Sequence, residues 1–152
     1  MTDGLLQGDC FKVIVALKYF EEANRIDPTF SLPYARRAHS YIILSSETMS
    51  PGEAFTHAKE LTSKALQLDP NSCEVHSALG NSALQQDRDW VMVEQEFKNA
   101  TSLNPSSIVV WNWHAVLLRV LCRFDQAIGE LNTGVELDPL TRESQSGLCL
   151  VH

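Results

Sequence analysis

Apolar residues recur along this chain in three- and four-residue steps, in blocks separated by proline-bearing breaks, the spacing of amphipathic helices. The first block (Phe11, Ile14, Val15, Leu17, Phe20, Ala23, Ile26) predicts a helix from an N-cap at Asp9 to about Ile26. Lys12, Lys18, Glu21 and Glu22 take its other face, and Met1 to Gly8 form a polar, frayed start. Ser31 is placed as the cap of a second helix, with Pro33 tolerated in its first turn and Tyr34, Ala38, Tyr41 and Ile42 turned inward. The pattern lapses over Ser45 to Ser50. It restarts at Ser50-Pro51-Gly52-Glu53, a capping box that opens a helix to about Leu68. Further helices are expected at Cys73 to Gln86, Trp90 to Leu103, Ile108 to Leu121 and Phe124 to Leu137, with turns at Asp87-Arg88-Asp89 and Cys122-Arg123. Thr141 would cap a weakly patterned last helix through Val151.

The breaks are near-copies of one another: Ile26-Asp27-Pro28, Leu68-Asp69-Pro70, Leu103-Asn104-Pro105 and Leu137-Asp138-Pro139. Their prolines lie 42, 35 and 34 residues apart. Five residues before each proline stand Ala23, Ala65, Ala100 and Gly134; twelve before, Ala16, Ala58, Val93 and Ala127; eight before, Phe20, Thr62, Phe97 and Leu131. Six after the first three come Tyr34, His76 and Trp111; ten after come Ala38, Gly80 and Ala115. Small residues let antiparallel helices approach and a large neighbour fills the gap, so the spacing encodes repeated helix pairs. The eight extra residues of the longest unit are assigned to its inter-helix connection.

This pattern resembles the tetratricopeptide repeat, whose period is 34 residues. The likeness runs from about residue 10 to 140 and implies an all-α solenoid of about seven helices in antiparallel pairs. It divides the chain into a partial repeat at 9–28, repeats at 31–70, 73–105 and 108–139, and a partial helix at 141–151. Arg37 and His114 depart from the family's usual leucine, and Thr62 from its aromatic. A narrower likeness is carried by Pro51-Gly52-Glu53-Ala54-Phe55 and Lys64-Ala65-Leu66-Gln67-Leu68-Asp69-Pro70, by Asp89-Trp90 with Glu94 and Phe97, and by Arg123-Phe124-Asp125-Gln126-Ala127-Ile128. These segments are similar to repeat regions of bacterial signalling proteins such as winged-helix regulators, Ser/Thr kinases and cyclase-like proteins.

The resemblance implies that the first helix of each pair lines a concave groove. It places Leu32, Ala35, His39, Ile42 and Ile43 there, then Glu74, Ser77, Asn81, Leu84 and Gln85, then Val109, Asn112, Val116, Arg119 and Val120. The candidate ligand-binding set is His39, Glu74, Ser77, Asn81, Gln85, Asn112 and Arg119. Asn81 and Asn112 suit a peptide backbone and Arg119 a carboxylate; the competing reading is a solvated surface left over after core packing. A Lys/Asn/Arg clamp for a chaperone's C-terminal carboxylate is not expected, because Leu32 and Ala35 stand where lysines would be needed and only Asn81 fits. Trp113 falls outside the repeat's packing positions and is a minor candidate for ligand contact.

Composition narrows the rest. A net charge of −7 without a basic tract argues against nucleic acid or an anionic membrane as partner. The chain shows neither a signal-peptide pattern nor an apolar run long enough to span a bilayer, and its four cysteines are widely spaced, so a cytoplasmic protein with reduced thiols is expected. Cys73 and His76 share a helical face but lack a nearby third metal ligand, and His76 holds the repeat's large packing position. No nucleophile elbow, phosphate-binding loop or dinucleotide fingerprint occurs, so no catalytic residue, enzyme activity or cofactor is predicted. The expected partner is a protein or peptide. The alternatives are self-association, as a dimer or end to end, through an unpaired first helix and the apolar Leu148-Cys149-Leu150-Val151 end, or a detached sensory or regulatory segment of a bacterial signalling protein.

Overall fold

A computed structural model describes residues 3–45, 48–86 and 88–140 of the chain. Those residues form seven α-helices and no strand: α1 (Asp3–Ile26), α2 (Ser31–Leu44), α3 (Pro51–Leu68), α4 (Cys73–Gln86), α5 (Trp90–Leu103), α6 (Ile108–Val120) and α7 (Phe124–Leu137). The expected helix at 141–151, with its apolar end, lies outside the described residues, as does Asp87. Three details differ from expectation. Helix α1 begins at Asp3, so Asp9 lies inside it and is not its cap. Ser31 is the first residue of α2, and the residue before it, Phe30, makes no side-chain cap. The extra length of the second unit is also split: part lies in the connection, while α3 runs to 18 residues against 14 in α5. One added turn leaves the packing face of a helix nearly unrotated, so α3 lengthens without losing register.

Each joint is built the same way. The N–H of Asp27, Asp69, Asn104 and Asp138 donates to the carbonyl of Ala23, Ala65, Ala100 and Gly134 at 2.9, 2.9, 3.1 and 3.1 Å, closing the last helical turn. The side-chain Oδ1 of the same Asp or Asn accepts the N–H two residues on, from Thr29, Asn71, Ser106 and Leu140, at 2.9 to 3.1 Å. The large residue six positions after the proline then reaches back to the proline carbonyl: Tyr34 Oη at 3.2 Å, His76 Nε2 at 2.9 Å and Trp111 Nε1 at 2.8 Å. Three different donors thus perform one task. The polar edge of the aromatic satisfies a turn carbonyl while its body packs between helices.

Helices α2 and α3, α4 and α5, and α6 and α7 pack as antiparallel pairs, and α2, α4 and α6 also contact one another in succession. The core follows the small/large code. Ala35, Ala38, Ala58, Ala65, Val75 and Ala78 form one buried cluster. Phe97 and Leu117 anchor the next with Ala83, Leu84 and Val93, against which Trp90 and Trp113 pack. Gly80 shows why the small position is needed: a Cβ there would stand 3.0 Å from Phe97 Cε2. Thr62, in place of an aromatic, is buried and donates to the Ala58 carbonyl at 2.8 Å. Arg37, in place of leucine, reaches across to α1, to Glu21 at 3.5 Å and Asn24 at 3.4 Å. The Ser50 Oγ accepts from the Glu53 N–H at 3.4 Å and donates to its carboxylate at 2.7 Å, so the predicted Ser50 cap forms, while Glu53 closes on the Ser50 hydroxyl where a capping box would use the Ser50 backbone N–H.

Candidate functional site

The contacts of α2 with α4 and of α4 with α6 make these three helices a continuous inner face. On it the structure gathers part of the predicted set. His39 of α2 meets Trp113 of α6 edge to face, with ring centroids 5.3 Å apart, so side chains from the outer two helices close over α4 between them. Ser77 and Asn81, one turn apart on one face of α4, are fully buried, and His39 is 8% exposed. They are therefore not the solvated residues that the competing reading required. Burial leaves their polar atoms stranded: His39 Nε2, Ser77 Oγ, and both Nδ2 and Oδ1 of Asn81 have no hydrogen-bond partner among the described residues.

The electrostatics follow the burial. Burial, aided by the charge of Arg36, pushes the His39 imidazole down to about 4 against the pull of the Ser77 backbone and the Glu74 carboxylate, so it is neutral at pH 7. Burial also works against the Glu74 carboxylate, yet donation from Cys73 Sγ at 3.0 Å and Ser72 Oγ at 3.1 Å, its own backbone and the Arg36 charge together hold it below the usual range. Glu74 is thereby bound locally at the start of α4. Gln85 is exposed on the last turn of that helix. Asn112 and Arg119 are half-buried on α6, two turns apart on one side, and Arg119 has no ion pair among the described residues.

The other candidate chemistry is occupied by local bonds. His76 spends Nδ1 on Glu96 at 2.6 Å and Nε2 on the Pro70 carbonyl at 2.9 Å, while the neighbouring Cys73 donates to Glu74. Asp89 caps α5, accepting from the Met92 N–H at 3.1 Å. Trp113 carries more of the site than its sequence position suggested. Its signal was the off-register aromatic itself, but the His39 contact joins residues two repeats apart and no spacing predicts it.

No protein-family model matches the sequence, and no curated protein matches it. Solved structures do match. The thermophilic TPR protein TTC0263 of Thermus thermophilus superimposes with a TM-score of 0.70 at 16% identity, over 95% of this chain and 75% of that one. The fold is the tetratricopeptide-repeat fold. The first TPR of Spaghetti (RPAP3), solved bound to the HSP90 peptide SRMEEVD, matches at a TM-score of 0.61 and 15% identity, over 80% of this chain and 91% of that one. YrrB, described as a TPR protein with an unusual peptide-binding site, matches at 0.55 and 17%, over 97% and 71%. Within the tetratricopeptide-repeat fold of this chain, α2, α4 and α6 are the first helices of successive pairs. His39, Asn81 and Trp113 thus come from three successive units. No helix among the described residues is long and apolar enough to cross a membrane.

Proposed function

We propose that this protein is a non-catalytic interaction module that holds a peptide or protein segment along the inner face of α2, α4 and α6. On this reading residues 31–70, 73–105 and 108–139 are three full repeats. The observation that carries the proposal is Asn81: a fully buried amide on the middle helix with neither its donor nor its acceptor used among the described residues. Such a group costs about 1–3 kcal/mol when unpaired, and an extended backbone supplies the complementary N–H and C=O. The His39–Trp113 contact covers α4, so a ligand reaches Asn81 by parting those rings. Gln85, Asn112 and Arg119 offer outlying polar contacts, with Arg119 suited to a carboxylate. Peptide binding by structural neighbours supports this use of the fold, and the likeness of several segments to bacterial signalling proteins is compatible with an adaptor role in a reduced, cytoplasmic setting.

The test is a peptide-display screen, followed by titration of the selected peptide against Asn81→Leu, Asn112→Ala and Arg119→Ala. Asn81→Leu should keep or raise thermal stability while weakening binding by roughly tenfold or more, because it removes an unpaired polar group and the ligand's partner together. A peptide indifferent to all three substitutions overturns the groove assignment.

A second reading, self-association, is favoured by α1. Phe11, Tyr19 and Ile26 share one side of that helix and are 67%, 72% and 72% exposed. Light scattering from micromolar to millimolar protein tests it. A dimer disrupted by Tyr19→Glu supports the reading, and a monomer throughout ends it.

A further inference from the structure

The second helix of each pair is covered by the first in one repeated way. On α3, α5 and α7 the residues twelve, eight and five before the joint proline are all buried. A small residue of the first helix makes room for the large one: Gly80 of α4 sits so close to Phe97 that a Cβ would stand 3.0 Å from its ring, and Ala115 of α6 shares a cluster with Leu131.

Helix α1 carries the same code, as Ala16, Phe20 and Ala23 before Pro28, and breaks the rule. Among the described residues it packs against α2 alone, and these three side chains are only half-buried. Tyr19, next to Phe20, is 72% exposed. Its counterparts nine before the later prolines are half-buried and engaged: Leu61 packs on the cluster that holds Ala38, Glu96 bonds His76, and Glu130 lies 3.4 Å from His114. The face of α1 centred on Ala16 and Phe20 is thus patterned to receive a helix that offers a small residue to Phe20.

We propose that α1 of a second copy of this chain fills that face, the two helices lying antiparallel about a two-fold axis. The proposal rests on the self-association reading and assigns its interface. Ala16 and Phe20 stand one turn apart on the same face, and small-then-large, read antiparallel, is its own complement. With the axis level with residue 18, Phe20 of each copy lies over Ala16 of the other, as Phe97 lies over Gly80. Lys18 itself is exposed and projects from the opposite side of the helix. The overlap spans residues 10–26 of both helices, about five turns. Over that stretch Lys12, Lys18 and Arg25 balance Glu21 and Glu22, so the excess negative charge of the chain is carried elsewhere and does not hold the copies apart here. A helix of another protein would have to bring the matching small residue; a second copy supplies it by symmetry.

The experiment combines light scattering of the full chain from micromolar to millimolar with an isotope-filtered NOESY on an equal mixture of ¹³C-labelled and unlabelled protein. The mass should level off at two copies, because a two-fold interface closes on itself. Intermolecular contacts between the Phe20 ring and the Ala16 methyl are expected. Phe20→Ala, which leaves a gap, and Ala16→Phe, which overfills it, should each weaken dimerisation by roughly tenfold or more. The two substitutions together exchange the large and small positions, keep the complement, and should restore the dimer. A monomer at every concentration overturns the proposal together with the self-association reading. A dimer that lacks the Phe20–Ala16 contact and ignores both single substitutions overturns this interface alone. So does a mass that grows past two copies, or a double variant as weak as the single ones.

Discussion

His39 and Trp113 meet edge to face at 5.3 Å across the middle helix of the inner face, although a whole helix pair lies between theirs in the chain. The contact ties three successive helix pairs together at one point, and Ser77 and Asn81 of the middle helix are fully buried. In a solenoid each unit normally contacts only its neighbours, so a bridge that skips one makes the stack more cooperative.

The buried, neutral state of His39 makes stability depend on acid. Its pKa is about 4 in the fold against 6.5 for an ordinary histidine, so between those values the unfolded chain binds more protons and stability falls as pH is lowered. The loss should reach roughly 3 kcal/mol between pH 7 and pH 4. Urea unfolding across that range should show it, and His39→Phe should flatten the dependence.

The repeated bond from the residue six past the proline predicts a graded cost at two joints. Trp111→Phe loses the 2.8 Å donor to Pro105 together with the five-membered half of the indole. About 1 kcal/mol should be lost, seen as a lower urea midpoint at unchanged slope. Tyr34→Phe, with a longer 3.2 Å bond, should lose less.

Gly80 is held small by Phe97, which is fully buried. Gly80→Val places further carbons where a Cβ already approaches the ring at 3.0 Å, and should destabilise by about 1–3 kcal/mol despite removing a helical glycine. Gly52→Ala, with open space around it, should be neutral or stabilising in the same melt.

The thiols should separate by reactivity. Burial, and then the hydrogen bond and charge of Glu74, push Cys73 up to about 11, whereas Cys122 is exposed. Alkylation at pH 8 followed by peptide mass mapping should label Cys122 first, with Cys73 modified only under denaturant.

Most of the fold is legible because its determinants are local. Each Asp/Asn-Pro joint closes through bonds that span two, four or six residues, and the small and large packing positions recur at offsets a single chain displays. Two caps are misplaced: Asp9 and Ser31 have capping side chains, but α1 begins at Asp3, through two glycines that argue locally against a helix, and α2 already includes Ser31. The candidate site is legible only as a face. The family resemblance puts His39, Ser77, Asn81 and Arg119 toward the inner side. Which of them solvent reaches depends on the small rotation between successive pairs, a sum over many contacts that no motif records. That rotation brings His39 to Trp113 and buries Asn81 without a partner. It also parts α5 from α7.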